Sequence, residues 1–208
     1  MRLSAVLLLL GLAALPGCGA LSALQGEPER DLFELRPPAA MTGCGRARIG
    51  DLIVEPPKAR GTLDSDRIMI RPSALQTQYL PDAQWGEPVP EMLQRLLVQS
   101  FGATGSFGYV GRAPLGLSGD YALISEIEDF NAELTADGAV VRLTVAAQMV
   151  SEMDADIVSR GRFAATVPAA STRTADLIPA FDAGARQVVT QMTQWGLRAS
   201  GVDPARCR

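Results

Sequence analysis

The stretch that decides the fold reads YALISEIEDFNAEL (121–134), Asp137-Gly138, VVRLTVAAQM (140–149), Asp154-Ala155 and IVSRGRFAATV (157–167). Each run is dominated by Val, Ile, Leu, Ala, Thr and aromatic residues, and each gap is a short turn former. Asp-Gly favours a tight hairpin because glycine takes positive φ without steric cost. Three consecutive extended segments joined by tight turns predict an antiparallel meander. Along the first segment Tyr121, Leu123 and Ile127 share one face, and Glu126 and Glu128 the other. One face is thus expected to be buried and the other solvated.

Working outward, Thr174 reads as an N-cap with Asp176 in the first turn. Leu177, Ile178, Phe181, Ala185, Val188, Val189, Met192 and Trp195 then trace one helical face to about Arg198. Upstream, Pro88 to Ala103 reads as a second amphipathic helix. Pro90 sits in its first turn, Glu91 lies near the positive end of its dipole, and Met92, Leu93, Leu96, Leu97 and Phe101 form its apolar stripe. Before that helix, short strands are expected at 31–35, around 49–54, at 67–71 and at 74–80, the last two paired across Pro72-Ser73. Residues 104–119 are glycine-rich, with Phe107, Tyr109 and Val110 as a short edge strand. The result is an α+β class: one domain, a mostly antiparallel sheet and two long amphipathic helices. No internal repeat is present.

The N-terminus carries different information. Arg2 supplies a positive charge, Leu3 to Leu15 is an almost unbroken apolar run, and Leu15-Pro16-Gly17-Cys18 follows. The run is short for a bilayer span and has the order of a secretory signal, here residues 1–17. The last four residues resemble a lipobox, in which the cysteine sulfur takes a diacylglyceryl group and the new N-terminus a further acyl chain such as palmitate. Cys18 is therefore the expected lipid attachment site. Since stable anchoring takes more than one acyl chain, such a residue anchors firmly. Residues 18–30, small, polar and proline-marked, read as the lipidated tether, and 31–208 as the domain. By the Gram-negative sorting rule, Gly19 after the cysteine favours the outer membrane, facing the periplasm.

An exported chain meets an oxidising compartment, so Cys44 and Cys207 are disulfide candidates, with two free thiols as the alternative. Such a bridge would close a very long loop, worth about 4–5 kcal/mol in the chain-entropy model.

Composition narrows the chemistry. The net charge is −4, Lys58 is the single lysine among 19 cations, and no basic patch suggests nucleic acid. There is no histidine at all, which removes Ser–His–Asp and Cys–His nucleophilic pairs and imidazole metal ligands. Cys44 and Cys207 have no histidine or lysine neighbour in sequence to activate a thiol. Carboxylates cluster at Asp64/Asp66 and at Glu126/Glu128/Asp129, and both clusters read as solvated surface. Gly116-Leu117-Ser118-Gly119 and Gly102-Ala103-Thr104-Gly105-Ser106 lack the lysine and spacing of a phosphate loop. No enzyme, no cofactor and no metal is expected.

Several stretches together resemble a known family. They are Phe33-Glu34-Leu35-Arg36-Pro37-Pro38; Asp64-Ser65-Asp66-Arg67-Ile68-Met69-Ile70-Arg71-Pro72; Gln78-Tyr79-Leu80-Pro81-Asp82-Ala83-Gln84-Trp85-Gly86-Glu87-Pro88-Val89-Pro90; Tyr121-Ala122-Leu123 with Glu126, Ile127 and Phe130; and Arg160-Gly161-Arg162-Phe163 with Val167-Pro168. In these the chain is similar to the ABC-type transport auxiliary lipoproteins, including the PqiC-like ones that accompany MCE-domain lipid transporters. The resemblance implies a non-enzymatic adaptor at the outer membrane that docks the periplasmic MCE assembly and that can self-assemble. Tyr79 and Trp85, in a stiff proline-marked segment, are the candidate partner-binding residues, because aromatics present large area at low entropy cost. The alternative for Trp85 is that it packs beneath the helix start. The competing functions are a periplasmic lipid or hydrophobic-ligand binder, with helices and sheet enclosing an apolar groove, and a pilot lipoprotein for another envelope complex.

Overall fold

Chain order in the computed structural model is β1 (Asp31–Phe33), β2 (Asp51–Val54), β3 (Lys58–Ala59), β4 (Arg67–Ser73), β5 (Gln76–Trp85), α1 (Val89–Ala103), β6 (Tyr109–Gly111), β7 (Tyr121–Thr135), β8 (Gly138–Ser151), β9 (Asp156–Ala169) and α2 (Thr174–Ala199). The structure describes residues 30–39, 49–116, 118–203 and 205. Cys18, Cys44 and Cys207 lie outside them.

The three decisive runs form β7, β8 and β9, in long antiparallel ladders as expected. Gly138 opens β8 at φ +150, where an added Cβ would meet the Ala169 carbonyl oxygen at 2.7 Å, so this turn needs glycine on both conformational and steric grounds. Beyond β7 the sheet is mixed. The chain from 51 to 71 runs beside the other edge of β7 as one broken, parallel strand. β2 pairs Tyr121–Leu123, β3 pairs Glu126–Ile127 and β4 pairs Ala132–Glu133. Pro56-Pro57 interrupts the first two pieces because proline donates no ladder hydrogen bond. The expected antiparallel grouping of these short strands holds only for β4 with β5; β2 and β6, and β1 and β5, pair in parallel.

The β4–β5 turn also differs from expectation. It falls at Ala74-Leu75, Pro72 lies inside β4, and β5 runs on through Pro81 to Trp85. Both prolines fall where the register slips, between Ile70 and Ser73 and between the Arg67 and Met69 pairings. Irregularities of this kind are the places where a strand tolerates a missing donor.

Both helices cover the same face. An added Cβ at Gly184 of α2 would lie 3.1 Å from Leu143 of β8 and 3.6 Å from Val167 of β9, so odd-numbered residues of these strands face the helix. Gly196 of α2 lets Phe101 of α1 approach; a Cβ there would sit 2.6 Å from the Phe101 ring. Trp85 of β5 meets Phe130 of β7 and Phe181 of α2 edge-on, with ring centroids 5.9 and 5.3 Å away, and Phe130 stacks on Phe181 at 5.5 Å. These rings fasten the N-terminal strands, the meander and the last helix to one another.

α2 begins one residue earlier than its sequence suggests. Arg173 occupies the cap position with no side-chain cap bond, and Thr174 is the first helical residue. The neighbouring groups still order the start: the Ser171 hydroxyl bonds the Asp176 carboxylate, and Arg173 Nη2 donates to it at 3.0 Å. The Ser171 bond first, and Arg173 second, hold the Asp176 carboxyl below the usual carboxylate range.

Candidate functional site

Trp85 is 1% exposed, so as a partner-binding residue it is corrected to a core residue. The reason is the extension of β5, which carries the indole inward against two phenyl rings supplied by distant parts of the chain. Tyr79, six positions earlier on the same strand, is half-buried; its hydroxyl donates to the Thr62 carbonyl at 3.1 Å and the Arg67 guanidinium lies 4.7 Å above its ring. The structure therefore does not bring the two candidates together on a surface.

The Asp64-Ser65-Asp66 motif works through its backbone. The Asp66 carbonyl accepts from Trp85 N–H at 2.6 Å, and the Ser65 carbonyl from Val89 N–H at 3.1 Å. The latter satisfies one of the donors that a helix start leaves without an intrahelical partner. Gly102 and Gly105 lie at the C-terminal exit of α1, where Thr104 Oγ1 donates to the Phe101 carbonyl at 2.6 Å. A phosphate loop requires the opposite, N-terminal end of a helix. Among the described residues no cluster of Cys, Asp and Glu could hold a metal, and no helix is long and apolar enough to cross a membrane.

The face of the sheet away from the helices carries the charged groups. A bulge at Glu128 lets Ile127 pair Val145 and Asp129 pair Thr144, which places Glu126, Glu128 and Asp129 together on this face. Arg162 donates to Glu128 at 2.7 Å, Arg71 stands 4.0 Å from Asp129, and Arg142 forks onto both oxygens of Glu133 at 3.0 Å. The fork holds the Glu133 carboxyl below its ordinary range, chiefly through the Arg142 hydrogen bond.

Below these pairs lies a concavity of about 280 Å³, lined by Lys58, Ile124, Glu126, Ala146, Gln148 and Arg160 together with strand backbone. It is absent from the sequence reading, since its walls come from β3, β7, β8 and β9. Its one legible trace is the alternation Ala146, Gln148 and Arg160, Arg162 on strands whose other positions are core.

Beside the ion pairs, Asn131 is 0% exposed and neither Oδ1 nor Nδ2 has a hydrogen-bond partner among the described residues. A buried amide in that state costs about 1–3 kcal/mol per unmet group. Asn131→Leu is therefore expected to leave stability unchanged or raise it by about 1–2 kcal/mol. Chemical denaturation reads this directly, and a loss above 1 kcal/mol would show that the amide serves a partner.

No curated protein matches the chain. Among solved structures it is similar to protein XCC0632 from Xanthomonas campestris, assigned to the DUF330 family: TM-score 0.72 at 23% identity, covering 82% of this chain and 97% of that one. It is also similar to an uncharacterised protein, with TM-score 0.63, 15% identity, and 80% and 98% coverage. At these identities the likeness establishes the fold. The family model for the ABC-type transport auxiliary lipoprotein component matches residues 33–193, from the end of β1 into the last turns of α2. That span holds the proline-marked β4–β5 hairpin, the meander and both helices, and on it the chain belongs to the ABC-type transport auxiliary lipoprotein component family.

Proposed function

We propose that this protein is a non-enzymatic adaptor of an MCE-type lipid transport system. In this reading it is lipidated at Cys18, held at the periplasmic face of the outer membrane, and docked on the periplasmic MCE assembly. The family match over residues 33–193 carries the reading, because it makes the chain an auxiliary component of an ABC transporter. The lipobox-like Leu15-Pro16-Gly17-Cys18 and the following Gly19 support the anchor and its membrane. Residues 18–30 then serve as a tether that lets the sheet reach a partner. Tyr79 is the aromatic of the original pair that a partner can still reach. Self-association suits an open sheet in which, among the described residues, β9 pairs only with β8 and so presents a long edge.

Co-purification tests this reading. Full-length lipoprotein extracted from envelopes in mild detergent should bring down an MCE-domain protein with its permease and ATPase. Recovery of the lipoprotein alone, after cross-linking as well as before, would remove the proposal.

A lipid groove between helices and sheet loses its support. That space is filled by Trp85, Phe101, Phe130 and Phe181, all at most 3% exposed. Any small ligand would belong on the opposite face.

A further inference from the structure

We propose that the concavity on the helix-free face binds the anionic headgroup of a phosphate-bearing amphiphile, with Lys58 and Arg160 as the two cationic clamps. The charges on that face are the first ground. Arg71, Arg142 and Arg162 are each matched by a carboxylate, in Asp129, Glu133 and Glu128. Lys58 and Arg160 form no ion pair among the described residues, and both line the same concavity. Lys58 stands opposite Glu126 in register yet does not close on it. With Glu126 as the sole carboxylate in the lining, the site holds one positive charge in excess.

The register supplies the second ground. Two adjacent rows cross the strands here. Lys58, Glu126, Ala146 and Arg162 lie in one, and Ile124, Gln148 and Arg160 in the other. Lys58 on β3 and Arg160 on β9 are separated by three strand spacings, about 14 Å. Two long, flexible cations thus face each other across a floor of Ile124 and Ala146. An anion seated between them receives charge-assisted hydrogen bonds from both sides, and Gln148 adds a donor and an acceptor. The apolar floor suits the first methylenes of an attached chain.

Size is the third ground. At about 280 Å³ the concavity is just below the 300–1,000 Å³ of pockets that enclose drug-sized ligands. It fits a headgroup and leaves the acyl tails outside. The proposal rests on this geometry and not on the transporter partnership, so failed co-purification leaves it standing, and the converse also holds.

The test uses the full mature lipoprotein in non-ionic detergent, with the Ile124 and Ala146 methyl resonances as local reporters. Dihexanoyl phosphatidylglycerol, dihexanoyl phosphatidylcholine and sodium phosphate are titrated separately. The anionic lipid should give saturable shifts, with binding at least tenfold weaker for the zwitterionic lipid and for phosphate alone. Lys58→Gln/Arg160→Gln, which alters two exposed side chains, should weaken the anionic lipid at least tenfold while leaving the circular dichroism spectrum unchanged. Absence of saturable shifts, equal binding by the double variant, or equal binding by the zwitterionic lipid would overturn the proposal. Inorganic phosphate binding as tightly as the anionic lipid would overturn the amphiphile assignment and leave a simple anion site.

Discussion

Trp85→Ala is expected to cost about 3–5 kcal/mol, the range for removing a large aromatic from a packed interior. The indole touches rings from β7 and α2, so its loss uncouples three parts of the chain at once. A domain commonly holds only 5–15 kcal/mol in total, and the variant should sit near the edge of folding at 37 °C. Its buried Nε1 has no hydrogen-bond partner among the described residues, which offsets part of the indole's contribution, so the lower half of the range is the better expectation. Urea denaturation of the purified protein measures the loss as a lowered midpoint at unchanged slope. A cost below 1 kcal/mol would mean that the indole is not packed as described, and would restore it as a partner contact.

Cys18→Ser has the largest expected effect on location. Without the thiol the proposed acyl chains cannot be attached, and among the described residues no helix is long and apolar enough to cross a membrane. The variant is expected to move almost wholly from the membrane fraction to the soluble periplasmic fraction. The wild-type chain, in turn, should show an intact mass that begins at residue 18 and carries acyl groups. A variant that stays in the membrane fraction would reveal a second anchor; a wild-type mature chain starting elsewhere would remove the lipid anchor altogether.

Much of this architecture was legible before any coordinates. The meander could be read because β7, β8 and β9 are long, and their turns contain Asp137-Gly138 and Asp154-Ala155, whose conformational preferences are local. Both helices could be read because a 3.6-residue stripe is also local. What escaped depends on partners far along the chain. β2 and β3 are four and two residues long, too short for any pattern to specify whether a neighbour runs parallel. Trp85 sits in an aromatic, proline-rich segment that looks like a recognition loop, and only Phe130 and Phe181 make it core. The concavity escaped for the same reason, since Lys58 and Arg160 belong to opposite ends of the domain sequence.

One irregularity of the sheet does have a local signal in the sequence. Apolar residues on β7 occupy odd positions at Leu123 and Ile127, then even ones at Phe130, Ala132 and Leu134. A regular strand cannot bury both sets, so the slip itself announces the bulge at Glu128. That bulge adds Asp129 to the outer face, where it meets Arg71, and so helps assemble the ion-pair array above the concavity.

The sheet shows two chemically distinct faces. One is filled by helices and rings; the other carries the ion pairs, with Lys58, Arg160 and Glu126 in none of them among the described residues. Exposed apolar residues lie on two of the sheet's turns: Leu75, at 100% exposure, on the β4–β5 turn, and Met153, at 79%, on the β8–β9 turn. Single exposed residues are ordinary on protein surfaces. As fully accessible positions, these two report on neighbours without disturbing the core.

The most direct measurement of the central claim is therefore photo-cross-linking in living cells, with a benzophenone amino acid placed singly at Leu75, Met153 and Tyr79 of the full-length protein. At least one position should yield a covalent adduct containing an MCE-domain protein, and the yield should fall when Cys18 is replaced by serine. If all three positions yield only self-adducts or none, while the protein is folded and in the outer membrane, the adaptor role is contradicted.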